Sequence, residues 1–539
     1  MSLTTDGKVS LREKVCYALG DASANIAWRG ICAFLMIYYT DVFGLAPAIV
    51  GTLFFVVRLS DGVSDVAMGV IGDRTKSKYG KFRPWVLWTA IPLAVILSLT
   101  FTCPEGLGMT GKVVYAYITY ILFTLIYTAN NIPYGALMAV MTSDDKERAS
   151  IGSFRMAGAF AGGMVVQGLL LFLVAYFGNI NPTVSVEPVP EEPAACVVTV
   201  TSPRDVAHVD LSTVNKIAKI QPVGSTNEPA ARLSVPMTAN APQSFTVTGE
   251  ADLTADSFTL VDQNRGYSYA IYALSVILAL CLFVTFFGTR ERVEPPANQN
   301  ANLWRDLKDL VRNRPWIVLL VVGLFFNVYN AVRQGVTVYY FTHYVHRELL
   351  VGGFFTALMI ASILGALATA PLARRFGKRN VFVATLLLAG AINACFAFCG
   401  PTQLTAVFVI GFLGEAVAAV FPTLFFTMLG DAADFSEYVN GRRATGLVYS
   451  AGSFASKFGG GLAGAIIGFV LSKYGYEGTD PSTIAGAIPG IKLLMGVIPS
   501  AIVAVTAFLM FLYPLSDKRL SEITAELSKR RTQSLIPTP

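Results

Sequence analysis

Residues 73–84 read DRTKSKYGKFRP and residues 373–380 read ARRFGKRN, two basic segments that each follow the second in a series of six apolar runs. The first holds five lysines and arginines and the second four. Short loops with that bias stay on the cytoplasmic side of a bilayer. A second pair repeats the pattern: SDDKERASIGSFR (143–155) follows the fourth run and GDAADFSEYVNGRR (430–443) the tenth. Working outward, runs able to cross about 30 Å of hydrocarbon fall at roughly 15–43, 46–72, 84–104, 112–141, 150–178 and 267–288. Six more fall at roughly 316–344, 351–373, 380–400, 403–430, 446–474 and 489–513. The 289–315 segment holds six bases, and the tail SDKRLSEITAELSKRRTQ is basic too. All these segments share one side if both termini are cytoplasmic.

The fold class that follows is an all-α membrane protein with twelve transmembrane helices in two parallel six-helix halves, a transporter of the major facilitator type. The expected organisation is helices 1–5 in 1–178, an insertion at 179–266, helix 6 at 267–288 and a cytoplasmic linker at 289–315. Helices 7–12 follow in 316–513, with a cytoplasmic tail at 514–539. Of the 539 residues 54% are hydrophobic and only 14% charged, against about 25% charged in soluble domains. That excludes a soluble, a disordered or a small disulfide-knit protein. The seven cysteines form no CxxC pair, and neither a disulfide framework nor a metal cluster is indicated. MSLTTDGKVSLREK lacks a cleavable-signal pattern, so the first helix is expected to stay in place. The setting is a bacterial inner membrane and the oligomeric state a monomer.

The insertion carries ten acids and five bases, a net of −5, and its only aromatics are Phe245 and Phe258. CVVTVTS (196–202) and SFTVTGE (244–250) alternate as short strands do. A small β-rich extracytoplasmic cap or a partly ordered loop is expected there. There is no GxxxxGK[ST] loop for ATP and no HExxH, and GGGLAGAIIG (459–468) reads as close helix packing. Nothing resembles a nucleophile with its base or a nucleic-acid interface. The expectation is no enzyme and no cofactor, in contact only with lipid, a sugar and a cation.

Ionisable groups at hydrocarbon depth cost roughly 2.5–3.5 kcal/mol each at mid-helix, so they mark function. Span 2 reads VVRLSDGVSDVAMG (56–69), with Asp61 and Asp65 on one helical face about 6 Å apart. Two such carboxylates need a cation, a shared proton or a base such as Arg58. Either a triad with Arg58 fixes helix packing, or the pair is an oxygen-rich site for Na⁺ or H⁺ with Ser64 and Thr128 as further oxygens. An isolated Lys457 at depth in span 11 suggests a carboxylate partner.

VCYALGDASANIAWRG, YYTDVFGL, VGTLFFVVRLSDGVSD, DRTKSKYGKFRPW, NNIPYGAL and LYPLSDKR resemble the glycoside–pentoside–hexuronide:cation symporter family over both halves, outside 179–266. The chain is more similar to glucuronide and xyloside permeases than to the melibiose permease. The resemblance implies that Asp61 and Asp65 bind the coupling cation (Na⁺ or H⁺, with Li⁺ open), with Ser64, Thr128 and Lys457 near it. If the cation is sodium, Asp61 and Asp65 are its metal ligands. It implies Arg155 and Tyr127 at the sugar cavity, and Asp434, Glu437 and Arg443 as gating charges at the cytoplasmic end. Asn25 and Asn131 stand where the melibiose permease has sugar-binding aspartates, and Gly135 and Pro422 replace cavity tryptophans. Amides still bond hydroxyls, but galactoside specificity is not implied.

The expected function is therefore a secondary active symporter importing a glycoside, pentoside or hexuronide with Na⁺ or H⁺ by alternating access. A lysolipid carrier of related architecture and a non-transporting membrane sugar receptor are the rivals. Two arginines lie outside the resemblance: Arg29, one turn after Asn25 in span 1, and Arg333 at mid-depth of span 7. Five bases (Arg29, Arg58, Arg155, Arg333, Lys457) face four acids (Asp21, Asp61, Asp65, Glu415) at depth. Either Arg29 pairs with Asp21 or a span 2 aspartate and Arg333 with Glu415, or both meet the carboxylate of an anionic substrate.

Overall fold

A computed structural model describes residues 9–104, 106–142, 144–189, 195–213, 218–224, 229, 232–249, 253–292, 310, 312–440, 445–515, 519–523 and 525–527. Twelve helical rods run through the described residues. They are α1 (Leu11–Gly30, extended by π-helical turns Ile31–Leu35 and Tyr38–Val42), α2 (Pro47–Arg74), α3 (Arg83–Thr100), α4 (Met109–Met141), α5 (Asp145–Gly178) and α6 (Gln263–Gly288). Then come α7 (Arg314–Tyr339, with a π-helical turn Tyr340–Tyr344), α8 (Leu350–Phe376), α9 (Lys378–Ala394) and α10 (Leu404–Ala418, continued by Val420–Asn440). The last two are α11 (Thr445–Lys473) and α12 (Pro481–Lys492, Leu493–Val497 and Ile498–Met510). Ten rods are long and apolar enough to cross a membrane. Of the other two, α1 carries Asp21 and Arg29, and α2 carries Arg58, Asp61 and Asp65.

Local chemistry sets the boundaries. The Ser10 hydroxyl accepts the Glu13 amide at the start of α1, and Pro47 and Pro84 sit in the first turns of α2 and α3. Gly377, at φ +82°, makes the tight turn between α8 and α9 inside the ARRFGKRN repeat.

The chain divides into two compact units. The first comprises residues 1–294, 335–355 and 467–491, so it holds α1–α6, the far end of α7 and the α11–α12 junction. In it α1 and α5 lie backbone to backbone. A Cβ on Gly158 or Gly162 would collide with the carbonyl oxygens of Ala18 or Ala22, the close approach that small residues permit in membranes. The second unit comprises 295–334, 356–466 and 492–539. Its core joins Phe326, Tyr329, Phe382, Phe421, Phe425 and Met510 from α7, α9, α10 and α12. Residues 293–309 of the expected linker and the tail beyond 527 lie outside the described residues.

The insertion belongs to the first unit and is β-structured. Its strands are β1 (Thr183–Pro188), β2 (Ala195–Thr201), β3 (Val206–Thr213), β4 (Lys219–Pro222), β5 (Arg232–Met237), β6 (Pro242–Thr248) and β7 (Phe258–Val261). They form antiparallel sheets ordered β1-β2-β6-β4 and β5-β3-β7. One core joins the sheets: Val198, Val200, Phe245 and Val247 pack with Val209, Leu211, Phe258 and Leu260. The alternating CVVTVTS and SFTVTGE are neighbours, with Val198 opposite Phe245. Where chain leaves α5 and returns to α6, the Asp262 amide donates to Gly178 O at 2.8 Å and Asn179 bridges to Val261. The sandwich is thus clasped at its base between two helix ends.

Candidate functional site

On α2, Arg58 and Asp61 are one turn apart, and Nη1 donates to Asp61 Oδ2 at 2.8 Å with both side chains 3% exposed. Nη2 donates to Tyr120 Oη on α4 at 2.7 Å. Asp61 is therefore neutralised by its own helix. Asp65 has a different partner, accepting from Thr128 Oγ1 at 3.1 Å. The Ser64 hydroxyl turns back to the main-chain oxygen of Asp61 at 3.0 Å. The expected triad is thus divided: Arg58 holds Asp61, and α4 reaches Asp65.

Beside this pair lies an aromatic group that spacing alone did not single out. The Arg58 guanidinium sits 4.3 Å from the Trp28 ring centroid. Trp28 stacks on Tyr127 at 5.3 Å and 25°. Tyr127 stacks on Phe123 and Phe123 on Tyr120 along α4. Of the residues expected at a sugar cavity, Asn131 Nδ2 donates to Tyr127 Oη at 3.4 Å. Asn25 Oδ1 accepts from Arg29 Nε at 3.2 Å, and its Nδ2 donates to Asp21 O. Arg155 Nε lies 3.4 Å from Asp21 Oδ2, with its guanidinium over the Tyr134 ring. Asn25 and Arg29 thus meet on α1, Tyr127 and Asn131 meet on α4, and Arg155 of α5 reaches Asp21 of α1.

In the second unit Arg333 is buried. Its Nη1 lies 3.0 Å from Glu415 Oε2 and donates to Tyr329 Oη, while Ser362 donates to Glu415 Oε1 at 2.8 Å. Of the two readings of Arg333, this geometry favours the internal pair. Lys457 lies partly buried on α11, and Asp434 and Glu437 lie partly buried on α10. Arg443 lies outside the described residues. Asp431, on the same helix as Asp434 and Glu437, forms a pair the sequence did not single out, its Oδ2 2.7 Å from Lys378 Nζ.

At the sandwich end of the first unit a buried cluster joins both halves of the sequence repeat. His343 Nε2 lies 2.9 Å from Asp41 Oδ2 and 2.7 Å from Tyr476 Oη, and Tyr476 donates to Asp41 Oδ1 at 2.7 Å. Thr40 adds a hydroxyl to Asp41 and meets Tyr339 Oη at 2.8 Å. Asp41 and His343 are equivalent positions, each the fourth residue of the π-helical turn that extends the first helix of its half, YYTDV and YFTHY. Both line a cavity of about 450 Å³ beneath the sandwich, with Asp205, Asp210, Asp262 and Lys112. The likeness of the two turns was the available signal.

At the opposite end of the first unit, Glu291 accepts the backbone amides of Lys81, Phe82 and Arg83 at 2.8 Å each. These open α3, a natural carboxylate cradle. Gly80, at φ +108°, leaves room for it, since a Cβ there would strike the Glu291 carboxylate. The GKFRP stretch is shaped around this acid. Nearby, Arg292 pairs with Glu13 and Lys14 with Glu147. Their hydrogen bonds raise the Arg292 guanidinium and hold the Glu147 carboxyl below its usual range. Among the described residues no three His, Cys, Asp or Glu side chains gather as a metal cluster.

Twelve apolar rods in two sequence-related halves, with ionised groups paired inside them, define a polytopic secondary transporter. The chain belongs to the MFS/sugar transport protein family, which it matches over residues 16–204 and 229–517. It is 29% identical over 532 residues to the inner membrane symporter YicJ of Escherichia coli, covering 97% of each chain. It is 29% identical over 528 residues to the isoprimeverose transporter of Lactiplantibacillus pentosus, covering 97% of this chain and 92% of that one. A glucuronide carrier protein homolog of Escherichia coli is 27% identical over 530 residues, 97% of each. The fold matches that of a D-xylose-proton symporter at a TM-score of 0.59 and 10% identity, covering 94% of this chain and 98% of that one. A bacterial homolog of the lysosomal transporter Spinster, inward-facing, matches at 0.60 and 12%, covering 95% and 98%. The family and these relatives are transporters, and the chain is a secondary active symporter.

Proposed function

We propose that the chain imports a glycoside of the pentoside or hexuronide class, one coupling cation accompanying each sugar, by alternating access of its two halves. The observation that carries this is the split pair on α2. Asp65 and Thr128 offer oxygens to a small cation, while Asp61 is already balanced by Arg58. A cation or proton bound at this pair lowers the cost of carrying its carboxylates through an occluded state. Asn25, Arg29, Tyr127, Asn131 and Arg155 supply donors and a ring suited to sugar hydroxyls. The orientation places both termini in the cytoplasm and the sandwich outside. Asp41, His343 and Tyr476 then close the outer gate, and Asp434, Glu437 and Arg443 serve the inner one.

Relatives named for isoprimeverose and glucuronide support the substrate class. The five bases at hydrocarbon depth outnumber the four acids, a surplus of one positive charge. This surplus favours a hexuronide among the candidates. Counterflow of labelled 4-nitrophenyl β-D-xyloside in vesicles, competed by the matching glucuronide, by galactosides and by lysophospholipid, tests the reading. Sugars should compete, the glucuronide best, with Arg29→Gln levelling that preference. Competition by lysophospholipid alone would assign a lipid carrier instead. Counterflow that survives deletion of residues 185–260 would make the sandwich accessory rather than a receptor module.

A further inference from the structure

Between the carboxylates of α2 and the sugar-facing side chains of α4 runs one continuous path, and Trp28 is its only member from α1 that the described contacts reveal. Asp61 holds the Arg58 guanidinium, the guanidinium lies over the Trp28 ring at 4.3 Å, and that ring stacks on Tyr127 at 5.3 Å. The other route from Arg58 returns to the same tyrosine, through the Tyr120 hydroxyl at 2.7 Å and the Tyr120–Phe123–Tyr127 stack. Arg58 therefore closes a ring of four aromatics. A cation over an indole face is attracted by the ring quadrupole, and the attraction grows where water is excluded.

The guanidinium is held on three sides but not on the fourth. Its Nη1 and Nη2 are bonded, while its buried Nε has no acceptor among the described residues. Among the described residues it is also the one positive charge bonded to Asp61, in the position a coupling cation would take. Asp65 is tied to Thr128, the neighbour of Tyr127 on α4, so both carboxylates reach the same segment.

We propose that Trp28 is the positioning residue that couples cation occupancy to sugar affinity: a cation entering at Asp61 and Asp65 displaces the Arg58 guanidinium, and Trp28 passes that shift to Tyr127. This rests on the symport reading above and deepens it. Arg58 acts as a tethered internal cation that fills Asp61 while the site is empty. The coupling ion competes with it, and the released guanidinium moves further onto the Trp28 face. Tyr127 and, through its hydroxyl, Asn131 then take the geometry that presents them to the sugar. Trp28 itself touches neither ligand.

Binding of 4-nitrophenyl β-D-xyloside or the matching glucuronide to purified protein, with and without saturating Na⁺, Li⁺ or H⁺, measures the coupling. The wild type should gain affinity by a factor within about 5–150. Trp28→Leu should bring that factor to within about twofold of one while sugar counterflow still proceeds, and Trp28→Phe should restore most of it. An unchanged factor in Trp28→Leu overturns the proposal. A wild type that binds sugar independently of every cation overturns the symport reading instead. A second measurement needs no sugar and no leucine variant. The difference in intrinsic fluorescence between wild type and Trp28→Phe should change when the coupling cation alone is added. A difference signal that ignores all three cations overturns the proposal whatever the sugar.

Discussion

Asp61 and Asp65 stand one helical turn apart, yet they meet different partners because α2 faces two environments at once. Arg58, three residues before Asp61, reaches it along the helix, whereas Asp65 looks across to Thr128 on α4. The one-turn spacing was readable because i, i+3 and i, i+4 neighbours share a face in any helix. The Trp28 contact was not, since stacking across helices depends on rotation and depth that no local pattern encodes. The same logic separates the two arginines outside the family resemblance. Arg333 is buried against Glu415 with Ser362 and Tyr329 completing the shell. Removing one member of such a pair leaves an uncompensated buried charge, at a cost of roughly 3 kcal/mol. Arg333→Gln should therefore lower thermal stability and yield, and the double variant with Glu415→Gln should recover most of the loss. A single variant that melts like the wild type would show that the pair contributes nothing.

The elements were legible where chemistry repeats along the chain. Hydropathy gave the rods, and alternation in CVVTVTS and SFTVTGE gave two strands that proved adjacent. The alternation of basic loops between the rods closed without a leftover span. The GKFRP stretch read as a basic loop, and its glycine had no stated role. The structure supplies one: Gly80 lets the start of α3 wrap the Glu291 carboxylate, 210 residues away from Lys81 in sequence. Sequence separation of that size hides a pairing from any local reading. Gly80→Ala should cost at least ~1–2 kcal/mol from the positive φ alone, and more because the added methyl displaces the acid. Thermal unfolding of the purified protein checks this. A variant with unchanged melting would mean that the cradle is not formed.

At the scale of the molecule, duplication explains contacts that composition does not. Asp41 and His343 occupy the same place in the two halves, and parallel repeats about an axis along the membrane normal bring such positions together. One copy carries an acid and the other a base, so the repeat makes its own buried pair, completed by Tyr476. The sandwich caps this end through β-strands anchored at Gly178 and Asp262. Only two of its seven strands were read from the sequence, because strands such as β4 and β7 are four residues long, too short to show a period. The central claim is cation-coupled sugar transport through the carboxylates of α2. Accumulation of labelled xyloside and glucuronide in proteoliposomes, with an imposed Na⁺ or H⁺ gradient and without one, tests it most directly. The account predicts that wild-type protein concentrates one of these sugars only with a gradient. Asp65→Cys should fail to concentrate it while still exchanging it. Gradient-driven accumulation by Asp65→Cys at the wild-type level would contradict the account.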